Sequence, residues 1–435
     1  MSLDLDHPVL QVALDEVNLH RALGYAKEAV EGGAEWLEAG TPLIKSEGME
    51  AVRRLKKEFP DRFIIADLKT MDTGAFETEM AAKAGADAIG VLGAADNGTI
   101  EEAVKAARKY GAKLYVDLIS VPDKVQRAKD AARLGADYVC MHVGIDEQMK
   151  GGNPVEILKE VARAVDIPVA VAGGLNSETV AEVVKAGASI VIVGGAIIKA
   201  ERPTEEARKI VAAIRDKKVV PTELFKKYKQ EELYAAFGRV STSNVSDAMH
   251  RKGAMFGLRP VQQDVKIVGR AVTVEAMNGD WAKPVEAIDK AGPGDVLVIT
   301  TQGGHTAVWG ELASETCKVR GVEGLVIDGA VRDVDHIRMI QFPVWARHIV
   351  PNAGEPKGFG EIGGEIVCGG QVVRNGDWIV ADDMGVVVVP QDQAVELANR
   401  ALDVYEHENR LREEIRRGSS LSKVLKLKKW EKVVG

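Results

Sequence analysis

A short pattern returns four times in the first half of the chain: Gly33-Ala34-Glu35, Gly85-Ala86-Asp87, Gly135-Ala136-Asp137 and Gly187-Ala188-Ser189, at steps of 52, 50 and 52 residues. A fixed period of this length marks a repeated supersecondary unit. Each copy follows an amphipathic stretch such as FETEMAAKAGAD and precedes an apolar run, WLEAG, AIGVLG, YVCMHVG or IVIVGG. Locally this reads as helix, glycine stop, strand. Four further apolar runs, LQVALD, FIIADLK, KLYVDL and PVAVAGG, fall between the copies, giving eight strands in about 195 residues. Strands that alternate with helices run parallel, because a parallel pair needs a crossover of about a dozen residues. Eight of them predict an α/β fold closed into a (β/α)8 TIM barrel over residues 1–215. A doubly wound open sheet competes with it, but that fold needs no fourfold recurrence. Its G-x-G-x-x-G fingerprint is also missing after the first strand.

In such a barrel the C-terminal strand ends surround the active site. Strand one ends in Asp15, strand two in Glu38, strand three in Asp67 and Lys69, strand five in Asp117 and strand six in His142. Strands seven and eight end in Gly173-Gly174 and Gly194-Gly195, whose N–H groups can approach an anion, so a phosphorylated substrate is expected. The densest chemistry is ADLKTMDTG, residues 66–74. Asp67 and Lys69 are two apart and share one face of a strand, with Asp72 in the loop beyond. Alone, D-x-K-x-x-D reads equally well as a loop ion pair; the four other polar strand ends favour a reactive cluster. Carboxylates on neighbouring strands suit Mg2+, and a lysine suits a developing enediolate.

With LQVALD, WLEAGTPLIKSEG, MHVGID, VAGGL and VGGAIIKAERP, this motif resembles the orotidine monophosphate decarboxylase superfamily over residues 8–215. Within it, the resemblance is to the branch of 3-hexulose-6-phosphate synthases and 3-keto-L-gulonate-6-phosphate decarboxylases. It implies Glu38 and Asp67 on Mg2+, with Mn2+ the alternative ion. It also implies Lys69 and Asp72 on the enediolate and substrate hydroxyls, Asp15 beside them and His142 handling protons. Taken alone, His142 reads more readily as a hydrogen-bonded structural residue, and Cys140 reads as packing. DLKTMD and VGGAI look like the synthase, since the decarboxylase has an arginine where Gly195 stands. The expected reaction joins ribulose 5-phosphate and formaldehyde into 3-hexulose 6-phosphate, or reverses that step; the decarboxylase is the alternative.

Near residues 216–228, around Pro221, the repeat stops and a linker is expected. Residues 229–435 change character, with valine-rich runs between Gly-Asp and Pro-Gly turns, and predict a second α/β domain richer in sheet. TQGGHTAVWGEL, residues 301–312, is a glycine-rich turn entering a helix, and IDGAVRDVD, residues 327–335, ends a strand in Arg332 and Asp333. Arginine suits a carboxylate and aspartate a divalent metal, although an isolated Arg-Asp pair is usually a surface turn. STSNVSDAM, WGEL, GLVIDGAVRD and GDWIVADDMGVVVVP resemble the RraA-like family over residues 229–418. That family groups ribonuclease regulators with class II 4-hydroxy-4-methyl-2-oxoglutarate aldolases and oxaloacetate decarboxylases. The resemblance implies that Arg332 holds a pyruvyl carboxylate, Asp333 anchors Mg2+, and Gly303, Gly304 and His305 lie on a loop supplying N–H groups. It implies that Glu311 orients a water, although aspartate is usual at that position. A non-catalytic regulator or scaffold is the alternative.

A net charge of -8 argues against a nucleic-acid backbone binder. Three separated cysteines, Cys140, Cys317 and Cys368, argue against a disulfide framework or a structural zinc. With acids at the N-terminus and no apolar run of about 18 residues, a cytoplasmic chain with no membrane partner is expected. The segment LSKVLKLKKWEKVVG reads as a solvated helical tail. The resemblances imply a homo-oligomer: barrel dimers with Asp72 reaching across, RraA-like trimers, and a hexamer satisfying both.

Overall fold

The computed structural model describes residues 3, 5–142 and 155–425, which fall into two compact units. The first holds the chain up to Lys227 and again from Glu406; the second is Tyr228–Tyr405.

In the first unit, eight parallel strands close into a barrel: β1 (Val9–Leu14), β2 (Trp36–Ala39), β3 (Phe63–Thr70), β4 (Ala88–Leu92), β5 (Lys113–Asp117), β6 (Tyr138–His142), β7 (Val169–Ala172) and β8 (Ile190–Val193). β8 returns to pair with β1, Val9 opposite Ile190. The repeat has a clear mechanical role. Gly33, Gly85, Gly135 and Gly187 all have φ between +94° and +111°, the left-handed region that ends a helix and that a Cβ disfavours. Each following alanine is buried where helix turns to strand. In two copies the third residue ties down the neighbouring strand: Asp87 Oδ2 accepts from the N–H of Ile64, and Asp137 Oδ2 from that of Leu114.

Alternation along the strands divides the core in two. One set, including Ala13, Trp36, Ile65, Tyr115, Tyr138, Cys140 and Ile192, packs as a separate cluster within the closed barrel. The complementary set, including Leu14, Leu37, Ile64, Val116 and Val193, packs with the helix residues. Cys140 belongs to the inner layer and its burial pushes the thiol well up, so it packs rather than reacts.

The stretch expected to be a free linker is not one. Residues up to Lys227 belong to the barrel unit, with Phe225 in its core and Ser177 Oγ donating to Val220 O. The chain from Glu406 also joins the barrel unit rather than the second domain. Arg410 donates to Glu28, Arg21 and Tyr25 to Glu414, and Val424 is buried. Of the supposed solvated tail, residues 421–425 therefore dock on the barrel; 426–435 lie outside the described residues. Sequence periodicity registers that a helix is amphipathic, not which surface it covers.

The second unit is a mixed sheet in the order Gly385–Val389, Trp378–Asp382, Ile267–Ala276, Asp295–Thr300, Gly324–Val331, Val344–Ile349 and Arg259–Pro260. Its middle four strands are parallel and its outer pairings antiparallel. Among the described residues no helix is long and apolar enough to cross a membrane.

Candidate active site

The barrel brings five of the expected side chains to one end because they sit in phase. Asp15, Glu38, Asp67, Lys69 and His142 each continue the inward-facing alternation of their strand, and Glu38 lies opposite both Ala13 and Ile65 in register. Lys69 Nζ bridges two carboxylates, 2.5 Å from Asp67 Oδ2 and 2.9 Å from Asp117 Oδ2. Burial works against its charge, but Asp67, Asp117 and Glu38 outweigh burial and hold the ammonium above its ordinary range. Its backbone is left-handed, φ +53°, and the β3–β4 register shifts between Ala66 and Thr70, so the lysine is aimed by a locally irregular strand end.

Asp117 Oδ2 also meets His142 Nδ1 at 3.0 Å. Burial pushes Asp117 up, but the hydrogen bond and charge of His142 and the charge of Lys69 pull it down to about 2. An ionised carboxylate only accepts, so Nδ1 carries the proton and Nε2 is left to act on a substrate. Asp117, Cys140 and His142 also have the spacing of a metal cluster. A protonated buried thiol and a lysine already bonded to Asp117 make a proton-handling group the better reading.

Glu38 and Asp67 are both buried. Burial, then Asp67 and Asp15, hold the Glu38 carboxyl well above the usual carboxylate range. Asp15 is exposed to solvent yet ringed by protein; that desolvation, tempered by the exposure, and Asp67 raise it. Glu38 takes a bond of 2.5 Å from Gln11 Nε2, while Gln11 Oε1 is buried with no partner among the described residues. Crowded acids beside an orphaned amide oxygen form an oxygen-rich site short of positive charge, which fits Mg2+.

Asp72 is not part of this cluster: it is exposed and accepts from the N–H of Thr73. At the opposite side of the mouth, Gly173 and Gly174 have φ +113° and +65°. The N–H groups of these two and of Gly194 and Gly195 meet no acceptor among the described residues. Sequence reading missed Gln11, Thr41 and Tyr115, and gave Asp117 no role. Tyr115 Oη donates to Asp67 Oδ1 at 3.0 Å, and Thr41 Oγ1 to Asp67 Oδ2 at 3.0 Å. Burial and then Asp67 keep the Tyr115 phenol protonated. Alternation was the available signal: Gln11 is in phase with Asp15, and Tyr115 with Asp117.

In the second unit, Arg332 and Asp333 follow the central strand Gly324–Val331, and Glu311 opens the helix Glu311–Arg320. All three line a pocket of about 420 Å³ with Trp281, Trp309 and Leu312. Asp333, at φ +53°, places Oδ2 3.3 Å from Arg332 Nε and 3.4 Å from the Glu311 N–H. Glu311 faces His336, which also meets Glu315 at 3.0 Å.

The glycine loop is a correction. Gly303 donates to Asp328 O, Gly304 to Thr301 O and Gln302 to Thr300 Oγ1, so these N–H groups are used within the fold. The His305 ring lies tilted against that of His348, centroids 4.2 Å apart, and none of residues 302–305 is among those lining the pocket. The first-turn N–H groups of Leu312 and Ala313, without helical acceptors, border the pocket in their place.

Residues 8–210 match the family Orotidine 5'-phosphate decarboxylase / HUMPS, and residues 242–388 match RraA-like: Aldolase/RraA. The 3-hexulose-6-phosphate synthase of Mycobacterium gastri is 43% identical over 205 residues, 47% of this chain and 99% of that protein. That of Bacillus subtilis (strain 168) is 44% identical over 202 residues, 46% of this chain and 96% of that protein. A crystal structure of a 3-hexulose-6-phosphate synthase aligns with TM-score 0.46 and 44% identity, over 47% of this chain and 99% of that one.

Proposed function

Because the chain belongs to the Orotidine 5'-phosphate decarboxylase / HUMPS family, with an RraA-like domain fused behind the barrel, we propose that its barrel is a 3-hexulose-6-phosphate synthase. In this reading it interconverts ribulose 5-phosphate plus formaldehyde with 3-hexulose 6-phosphate through an enediolate. The observation that carries the proposal is Lys69, kept charged between Asp67 and Asp117 at the strand ends. The names of the relatives support the synthase reading over the decarboxylase.

Glu38 and Asp67 would hold Mg2+, which supplies Lewis-acid charge to vicinal substrate oxygens. The chain's own groups do the rest. His142, fixed through Nδ1 by Asp117, exchanges a proton at Nε2 with the sugar carbon that becomes nucleophilic. Lys69 places its ammonium where the enediolate oxygens gain charge, at no cost of reorganisation. Tyr115 and Thr41 restrain Asp67 from below and beside it. Asp15 at the mouth faces the incoming hydroxyls, and in a dimer Asp72 would come from the second copy. The glycine N–H groups bind the phosphate and exclude water from that end.

For the second unit we propose a pyruvyl-acid lyase or decarboxylase. Arg332 would take the carboxylate, with the N–H groups of Leu312 and Ala313 beside it. Asp333 would hold Mg2+ through its carboxylate, and the ion would supply positive charge beside the bound acid. Glu311, braced by His336, would orient the water.

One assay tests the barrel proposal. The full chain is incubated with ribulose 5-phosphate plus formaldehyde and, separately, with 3-keto-L-gulonate 6-phosphate, each with and without EDTA. EDTA-sensitive condensation is expected. Carbon dioxide release from the gulonate ester instead would replace the synthase with the decarboxylase. Oxaloacetate turnover, lost on Arg332→Ala, is the parallel test of the second unit.

A further inference from the structure

The family match of the barrel ends at residue 210, yet the barrel unit recruits two more stretches, the strap up to Lys227 and the chain from Glu406. They meet at Phe225. This ring is buried although its backbone is left-handed, φ +56°, a conformation an aromatic residue rarely adopts and that persists only where the surroundings impose it. They do impose it. The Phe225 N–H donates to Glu406 Oε1 at 2.8 Å, and its carbonyl and that of Leu224 accept from Asn176 Nδ2 at 3.3 and 3.2 Å. Asn176 and Glu406 are themselves buried.

The ring rests against the glycine cradle. A Cβ on residue 195 would lie 2.7 Å from Phe225 Cε1, so the strap occupies the space a side chain there would take. Lys199 Nζ lies 5.9 Å from the ring centroid, within cation–π reach. Its charge reaches Asp15, whose Oδ2 is 3.5 Å from the Cβ position of Gly194. One aromatic ring therefore backs both the backbone of Gly195 and the Lys199 ammonium. Asn176 carries the same restraint to the loop that follows Gly173 and Gly174.

We propose that Phe225 is a positioning residue for the phosphate end of the barrel site, clamped by Asn176 and Glu406 so that Gly195 and Lys199 receive the substrate's phosphate. The barrel's hold on a sugar phosphate then depends on chain that lies outside its family match. This rests on the barrel acting on a phosphorylated sugar. Among the described residues, the hydrogen bonds of Phe225 run to Glu406 and Asn176 and none to the groups on β3, β5 and β6 proposed to carry the chemistry, so binding and turnover should separate.

The test uses the full chain. Phe225→Ala is compared with wild type for KM and kcat with ribulose 5-phosphate and formaldehyde, and for inorganic phosphate binding by calorimetry. KM and the phosphate Kd should both rise about tenfold while kcat changes less than about twofold. A folded variant with unchanged KM and phosphate Kd, or one that loses kcat at constant KM, overturns the proposal. If Phe225→Ala does not fold, Glu406→Ala, which removes the acceptor of the Phe225 N–H, must weaken phosphate binding in the same direction, and unchanged binding overturns the proposal too. A wild-type chain that binds phosphate without turnover sinks the synthase reading alone, since the calorimetric comparison still decides the role of Phe225.

Discussion

The two sites hold similar residue types in opposite surroundings. In the barrel, Lys69 and His142 have side chains 21% exposed and Asp117 only 2%, and each is bonded to another member of the group. In the second unit, Arg332 is 46% exposed, Glu311 42% and Asp333 34%, with contacts of 3.3 to 3.7 Å. Charges out of water act strongly on one another and on a bound ligand, while charges in water are screened. The barrel site is thus set before substrate arrives. The open site must gain much of its order from the ligand or from covering surfaces. Both place a key residue, Lys69 or Asp333, at φ +53°, so a strained strand end is common to the two and does not by itself separate them.

The sharpest way to break this contrast is Lys69→Ala. It removes the charge proposed to stabilise the enediolate and leaves Asp67 and Asp117 facing each other, so kcat for the proposed condensation should fall about 10⁴-fold, with any oxaloacetate turnover by the second unit unchanged. Steady-state kinetics on both substrates reads this, and a loss under tenfold would contradict the assigned role. Asp117→Asn comes next. Its amide would donate to His142 and reverse the tautomer, so kcat should drop about 10³-fold with KM little altered.

In the exposed site, Arg332→Lys keeps the charge but loses the two-pronged geometry, and KM for a pyruvyl acid should rise about 10²-fold. Moderate salt should mimic part of this effect in the second unit and leave the barrel reaction nearly untouched. The smallest effect expected is on acid stability. Asp117 is depressed in the fold, so its contribution is complete above the unfolded value near 4 and is lost as pH falls towards about 2. Chemical denaturation across that window should show roughly 2 kcal/mol disappearing, and Asp117→Asn should abolish that part of the pH slope.

The barrel was legible because its information is local and repeated. A glycine that ends a helix and an alanine small enough for the turn leave a mark every 50 or 52 residues. The site was legible where strand alternation carries a side chain inward, as at Glu38, Asp67 and Lys69. Gln11 and Tyr115 share that phase but resemble ordinary strand residues until their partners are known. The glycine loop at 302–305 shows the converse: glycines suggest available N–H groups, but Gly303 and Gly304 spend theirs on Asp328 and Thr301.

Chain order and side-chain period were enough for eight strands, a closed barrel, and the inward acids and lysine. Tertiary structure decided which of those groups touch. It joined Lys69 to two acids 48 and 2 residues away and set His142 through Asp117. It also returned the chain beyond Glu406 to the barrel, where that carboxylate meets Phe225 across 181 residues. Periodicity reports the face a residue occupies. Partnership across such separations depends on how whole elements pack, and no local pattern encodes it.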